Sequence, residues 1–378
     1  MADGRWRAAV SVGYRDGKRV RKVFTAKTRR DVQDKLTIAL RSRQLGLPLP
    51  GERQTVANFL SDWLRECAKP KVRPKTYGSY SWIVNHHLTP GLGRVRLAKL
   101  NPQQIQTFLN GRRQGDLSPR TIQHIHAVLR VALGQAEKWG LVTRNAAALV
   151  DTPQVRRPEV QPMTPSEVQL FLDAIGGDRL EALFILAIAV GLRQGEALGL
   201  LWDAVDLDQG TLTVRYALQR VDKQLTLVEP KTLKSRRTLH LPQFLKAALW
   251  RHRAVQEEER LVAGSRWRET GFVFTSKIGT PLDGSNVTKR FQRLLQKYGM
   301  RRMRFHDLRH VCASLLLLKG VHPRLVMETL GHSQIGITMN TYSHVIPALQ
   351  KEVASQMDEI LSPVATNVAT QELPARVN

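Results

Sequence analysis

The chain has 378 residues, 42% of them hydrophobic and 6% aromatic, so it is long enough for two or three domains with their own cores. Lys and Arg number 58 against 32 Asp and Glu, a formal net charge of +26, which favours a polyanionic partner, nucleic acid before an anionic membrane surface. The start lacks a signal core and the longest apolar run, from Ala182, is too short to span a bilayer, so we expect a cytoplasmic protein with no membrane segment.

A basic unit is predicted at residues 1–46. Two strands meet at Asp16-Gly17, a hairpin turn signal, and a helix follows from Thr28, which is a suitable N-cap. Positive charge is dense here, and a solvated charged hairpin is the simpler alternative to a DNA-binding unit. The candidate DNA contacts in it are Lys18, Arg19 and Arg21.

After a Pro- and Gly-rich linker at 47–54, residues 55–150 predict a helical domain. Apolar spacing fits four helices, two of which begin at Asn101-Pro102 and Ser118-Pro119. The loop "KPKVRPKTYGSY" mixes basic and aromatic side chains in a way that suits phosphate contact and groove packing. The candidate DNA contacts in this loop are Lys71, Arg73, Lys75 and Tyr77.

A second Pro-rich linker at 151–163 leads into a last domain at 164–362, with Thr164, Pro165 and Glu167 as its helix start. A buried helix is expected near 180–190, then antiparallel strands in "TLTVRYALQ", "QLTLVEP" and "RRTLHLP", then helices from about Ser285. The last residues, 363–378, lack periodic apolar content and predict a flexible tail.

Two motifs in this domain place charged groups at helical spacing. In "GLRQGEALGL", Glu196 lies three residues after Arg193 and can orient its guanidinium, although an ordinary helix ion pair is an equally good interpretation of this motif alone. In "RFHDLRHVCA", His306, Arg309 and His310 fall on one helical face.

The same histidine spacing is found in zinc-binding helices, so a zinc hydrolase is an alternative. Asp307 stands where that motif has a Glu, and no nearby Cys and His cluster completes a coordination sphere. Cys67 and Cys312 are too few for a disulfide framework and are more simply two small buried residues.

Two further stretches supply the remaining chemistry. "LGHSQIGITMNTYSHV" contains His332 and Tyr342, and "VEPKTLKSRRTLHLP" presents Lys231 or Lys234 in a turn between strands. Arginines can clamp a phosphate bidentately, a tyrosine can serve as covalent nucleophile, and histidine and lysine can move protons. Together these residues predict phosphoryl transfer without a metal ion.

These motifs resemble those of the tyrosine recombinases, specifically the phage-type integrases, over nearly the whole chain. The resemblance implies a multidomain, mainly α protein with small antiparallel β-sheets: a basic arm-binding domain, a helical SAM-like core-binding domain and a mixed α+β catalytic domain. Arm-binding domains of the family usually have three strands before the helix, whereas this sequence predicts two. The implied catalytic residues are Arg193, Lys231 (with Lys234 as the other choice), His306, Arg309, His332 and the nucleophile Tyr342, supported by Glu196 and His310.

By the same resemblance we expect a site-specific recombinase of a mobile element such as a prophage, with no metal or ATP. It would cut and rejoin double-stranded attachment sites as a homotetramer, through a 3′-phosphotyrosine and a Holliday junction, with a host DNA-bending protein and an excisionase as helpers. It would act at the nucleoid of a bacterial cell. A type IB topoisomerase-like relaxing enzyme and a DNA-binding regulator without catalysis are the alternatives.

Overall fold

A computed structural model describes residues 4–15, 18–44, 54–115, 117–155, 161–221, 224–229, 236–331 and 357. The chain forms two compact units, Met1–Arg157 and Pro158–Asn378. The finer division into an arm-type domain, a core-binding domain, a catalytic domain and linkers stays a prediction.

The first unit begins with the predicted hairpin. Strands β1 (Trp6–Arg15) and β2 (Lys18–Ala26) pair antiparallel, with a register shift between Ser11 and Gly13. Helix α1 (Arg29–Gln44) follows, and the hydroxyl of Thr28 accepts a hydrogen bond from the Asp31 amide at 3.2 Å. This N-cap confirms the predicted helix start, while the Asp16-Gly17 turn lies outside the described residues.

Helices dominate the rest of the described part of this unit. They are α2 (Val56–Trp63), α3 (Lys69–Lys71), α4 (Pro74–Ile83), α5 (Thr89–Leu92), α6 (Pro102–Gln114) and α7 (Pro119–Lys138). All four predicted helices are present, but the first two are extended by π-helical turns at Leu64–Ala68 and Val84–Leu88. Their apolar faces meet α6 and α7 in one core.

Capping fixes the starts of the later helices as the sequence predicts. Asn101 and Gln104 form a reciprocal capping box at α6, and the Ser118 hydroxyl accepts the Thr121 amide at α7. Thr164 and Glu167 form a second capping box at the first helix of the other unit. Each cap satisfies backbone amides that have no partner within the helix.

The second unit is built around one helix that is buried on all sides. Its helices are α8 (Pro165–Ala174), α9 (Glu181–Ala189), α10 (Gln194–Leu198), α11 (Gln243–Ala263), α12 (Gly284–Lys297), α13 (Asp307–Leu318) and α14 (Pro323–Leu330). Helix α9 is apolar all round, as a central helix must be, and it packs against α10, α11 and α13. The rings of Phe171, Phe184, Phe291 and Phe305 pack together in the same core.

The predicted strands divide between two small antiparallel sheets. Strands β3 (Val205–Asp206), β4 (Thr211–Val214) and β7 (Arg237–His240) form one, and β5 (Ala217–Val221) and β6 (Gln224–Val228) form the other. The stretch "TLTVRYALQ" therefore contributes a strand to each sheet. Strands β6 and β7, which flank the candidate lysines, lie in different sheets and do not pair with each other. Residues 230–235 between them lie outside the described residues.

Candidate active site

Arg193 is held in a tight turn between α9 and α10. Gly191 in this turn has a φ of 62°, a left-handed conformation that suits glycine. Arg193 is the N-cap residue of α10, and its side chain stays 39% exposed. The backbone of Arg193 is therefore held at the start of α10, while its side chain stays partly exposed to solvent.

The carboxylate of Glu196 orients this arginine, as the spacing predicts. Glu196 Oε1 accepts a hydrogen bond from Arg193 Nη1 at 2.6 Å, and Oε2 accepts the Arg193 backbone amide at 3.1 Å. Burial alone would raise the pKa of Glu196, but Arg237 and Arg193 outweigh it and hold that pKa below its usual range. The carboxylate is thus ionised at neutral pH, and its charge is shared between two cations.

Arg309, on α13, is anchored to the same turn. Its side chain is 2% exposed, and Nη1 donates a hydrogen bond to the Gly191 carbonyl at 2.7 Å. The fold therefore brings Arg193 and Arg309 together across 116 positions of sequence, through a backbone group two residues before Arg193.

His306 and His310 lie at the start of α13 with their rings perpendicular and 5.3 Å apart. Although His306 reaches the surface, partial burial lowers its pKa, and the charge of Arg309 lowers it further. Burial and the neighbouring His306 lower the pKa of His310 to about 4. Both imidazoles are therefore neutral at pH 7, and a neutral imidazole can accept a proton.

An ion pair fixes the start of α13 and with it the position of His306. Asp307 Oδ2 accepts the Arg304 backbone amide at 2.8 Å, and Oδ1 accepts Arg304 Nη2 at 2.7 Å. Burial would raise the pKa of Asp307, but hydrogen bonds and charge from Arg304 hold it below its usual range. Asp307 is therefore a structural carboxylate, which accounts for its position beside His306.

Arg237 joins this site, although the sequence motifs do not predict it. Its guanidinium donates Nη2 to Glu196 Oε2 at 3.0 Å and Nε to the Thr329 carbonyl at 2.8 Å. In sequence it is one of several basic residues around the strand "RRTLHLP". Burial distinguishes it from them, and burial of a charged strand residue has no local sequence signal.

Four predicted catalytic residues, Lys231, Lys234, His332 and Tyr342, lie outside the described residues. Residues that flank them in sequence are described in two places. Glu229 and Arg236, which flank the lysine segment, form an ion pair at 2.8 Å. The carbonyl of Gly331, the residue before His332, accepts a hydrogen bond from Arg193 Nη2 at 3.0 Å.

The predicted DNA contacts of the first unit are mostly exposed basic residues. Lys71, Arg73 and Lys75 are exposed around the start of α4, while Tyr77 is half-buried against the core. Arg21 is exposed on β2, and the side chains of Lys18 and Arg19 are outside the described set.

Within the described ranges, no group of three or more His, Cys, Asp and Glu side chains is arranged to hold a metal ion. Within those same ranges, no helix combines the length and the apolar character needed to cross a membrane.

Comparison with known families gives two matches that together cover most of the chain. The phage integrase family matches residues 161–348, and the N-terminal SAM-like domain of phage integrases matches residues 55–111. The first match contains Arg193 and Arg309, both histidines of α13 and the predicted nucleophile.

Whole-chain relatives agree with these matches. An integrase of Streptomyces ambofaciens is 32% identical over 368 residues, covering 94% of this chain and 93% of its own. A XerC-like tyrosine recombinase of Caldanaerobacter subterraneus subsp. tengcongensis is 31% identical over 379 residues, covering 94% and 96%.

Solved structures share the fold. The integrase of transposon Tn1549, in complex with a circular intermediate DNA, matches with a TM-score of 0.66 and 19% identity, covering 79% of this chain and 99% of its own. A lambda integrase dimer bound to a COC′ core site matches with a TM-score of 0.57 and 19% identity, covering 76% and 95%. The architecture of small sheets among helices is therefore that of integrases.

Proposed function

The chain belongs to the phage integrase family of tyrosine recombinases, enzymes that break and rejoin DNA at specific sites, and we propose that it recombines double-stranded attachment sites with Tyr342 as nucleophile. The observation that carries this proposal is the convergence of Arg193 and Arg309 on the turn at Gly191, with His306 close enough for both arginines to lower its pKa. Such a cluster can bind a phosphodiester and stabilise charge that develops on it.

In the proposed reaction the Tyr342 oxygen attacks the scissile phosphorus. The bond to the 5′-oxygen breaks as the bond to tyrosine forms, which leaves a 3′-phosphotyrosine and a free 5′-hydroxyl. His306, neutral at pH 7, accepts the phenol proton, His332 assists at the phosphate, and Lys231 protonates the departing oxygen. The 5′-hydroxyl of the partner duplex then attacks the phosphotyrosine and releases the enzyme.

Charge neutralisation in this scheme comes from side chains. Arg193 and Arg309 supply the positive charge that a metal ion would otherwise bring to the phosphate. Since the phosphotyrosine ester keeps the energy of the broken bond, rejoining needs no ATP.

Recombination requires more than one copy of the chain. Four protomers would bring two duplexes together, exchange one pair of strands to give a Holliday junction, and resolve it with the other pair. Residues 347–361, "PALQKEVASQMDEIL", would dock on a neighbouring subunit and limit which tyrosines are active. A host DNA-bending protein and an excisionase would set the direction between integration and excision.

The N-terminal unit would hold DNA on either side of the cut. The exposed residues Lys71, Arg73 and Lys75 are suited to phosphate contacts, and the basic hairpin would bind the arm sites. Substituting these residues by alanine should weaken binding and reduce its dependence on salt.

One assay distinguishes recombination from the alternatives. Purified protein is incubated with a plasmid carrying two attachment sites, and strand exchange and loss of supercoils are measured together. Recombinant products support the proposal. Relaxation without exchange indicates a topoisomerase-like enzyme, and binding without either product indicates a regulator that does not cut DNA.

The general acid can be assigned by changing the leaving atom. Lys231→Ala and Lys234→Ala are compared on normal DNA and on DNA whose scissile 5′-oxygen is sulphur, because a thiol ionises near pH 8.5 and leaves without a proton. We expect Lys231→Ala to be slow on normal DNA and restored on the sulphur substrate. Lys234→Ala should cut both at the wild-type rate, and the reverse pattern would assign the role to Lys234.

A further inference from the structure

Arg237 is a buried cation that the reaction scheme does not use. It is the first residue of β7, and its side chain is 8% exposed. Burying a charge is costly unless it is paired. Its partners therefore indicate why a guanidinium occupies this position.

The first partner is the carboxylate that orients Arg193. Glu196 is 5% exposed, with Oε1 on Arg193 and Oε2 shared between Arg237 and the Arg193 amide. Two guanidinium groups thus share one carboxylate, and the cluster keeps a net positive charge. Without Arg237, Glu196 would offset the charge of Arg193, whose side chain is 39% exposed.

The second partner fixes Arg237 itself. Its Nε donates to the Thr329 carbonyl at 2.8 Å, near the carboxyl end of α14 where unpaired carbonyls carry partial negative charge. A Cβ placed on Gly331 would lie 2.9 Å from Arg237 Nη1, so the guanidinium packs directly on this turn. Arg193 holds the same turn through the Gly331 carbonyl.

We propose that Arg237 is a positioning residue of the phosphate site, which offsets the carboxylate of Glu196 and so leaves the positive charge of Arg193 available to DNA. Its guanidinium is engaged by Glu196 and by the Thr329 carbonyl, so it acts through Arg193. This inference rests on the proposed function, since it requires that Arg193 binds the scissile phosphate.

The test measures single-turnover cleavage of a nicked substrate on which the cut strand cannot be rejoined. Two versions carry either a normal scissile phosphate or a neutral methylphosphonate. Arg237→Gln should slow cleavage of the phosphate on the order of 10- to 100-fold, the loss typical of a misplaced catalytic group. Its loss on the methylphosphonate should be several-fold smaller, because a neutral substrate depends less on the charge of Arg193.

Two companion variants separate charge from simple structural support. Arg237→Lys, which keeps the charge, should retain more activity than Arg237→Gln. The double variant Glu196→Gln with Arg237→Gln removes both buried charges, so no carboxylate offsets the charge of Arg193. It should therefore cut faster than Arg237→Gln alone. This double variant also avoids leaving the buried carboxylate of Glu196 with one cation fewer, which favours folding.

Arg179→Gln is the matched control and should cut both substrates at the wild-type rate. Arg179 is a 19% exposed arginine that pairs with Glu259 in the same unit. The inference is overturned if Arg237→Gln cuts the phosphate substrate at the wild-type rate, if its cleavage rate falls equally on both substrates, or if adding Glu196→Gln does not raise that rate. A wild-type protein that forms no covalent adduct would instead overturn the proposed function, and this inference with it.

Discussion

Gly191→Ala should destabilise the second unit and slow cleavage together. The new residue must keep a φ of 62°, which costs about 1–2 kcal/mol for a residue with a Cβ. Its Cβ would also lie 2.4 Å from Leu330 Cδ2 and 3.2 Å from Cys312 Sγ, and overpacking of this kind costs about 1–3 kcal/mol. The total loss in unfolding free energy is therefore about 2–5 kcal/mol.

Gly177→Ala separates the two contributions. Gly177 has a φ of 75° and nothing within 4 Å of an added Cβ, so it should lose only the backbone cost of about 1–2 kcal/mol. Urea unfolding, with hydrogen exchange of peptides from α9 and α13, measures both variants. Because the Gly191 carbonyl holds Arg309, only Gly191→Ala should also lose cleavage. Equal destabilisation of the two variants, or full activity in Gly191→Ala, would refute this account of the turn.

Two other predictions concern single side chains. The pKa of His310 is about 4 in the folded protein against 6.5 for a free imidazole, so below pH 6.5 the unfolded chain binds a proton that the folded chain does not. The free energy of unfolding should be highest above about pH 6.5 and fall as the pH drops toward about 4. Urea midpoints across this range should fall less in His310→Asn than in the wild type. An equal fall in the two proteins would contradict the attribution of this pH dependence to His310. Thr164→Ala removes the capping box of α8 and should cost about 1 kcal/mol of unfolding free energy, whereas Thr164→Ser should cost little; equal losses would show that the cap hydroxyl contributes nothing.

Features with a local cause could be predicted from the sequence. The caps at Asn101, Ser118 and Thr164 depend on residues within three positions, and the structure confirms all three. The contact of Arg193 with Glu196 has the same short range. The basic hairpin and the buried helix near 180–190 follow from turn chemistry and apolar spacing.

Features that depend on distant residues could not be predicted in this way. Arg309 reaches the Gly191 carbonyl and Arg237 reaches Glu196 only because the helices and sheets bring them together. The division of "TLTVRYALQ" between two sheets, and the π-helical turn at Leu64–Ala68, likewise result from packing. Combining motifs by their shared chemistry predicted the catalytic residues, but it gave no account of how Arg193 and Arg309 are held.

The most direct test of the proposed chemistry is to identify the atom that joins the protein to DNA. Wild-type protein is trapped on a nicked attachment-site substrate, digested, and mapped by mass spectrometry and sequencing to the peptide and the nucleotide. We predict one adduct, a 3′-phosphate on Tyr342, and we predict that Tyr342→Phe binds the same DNA without forming it. An adduct on another residue, or one that persists in Tyr342→Phe, would contradict the central claim.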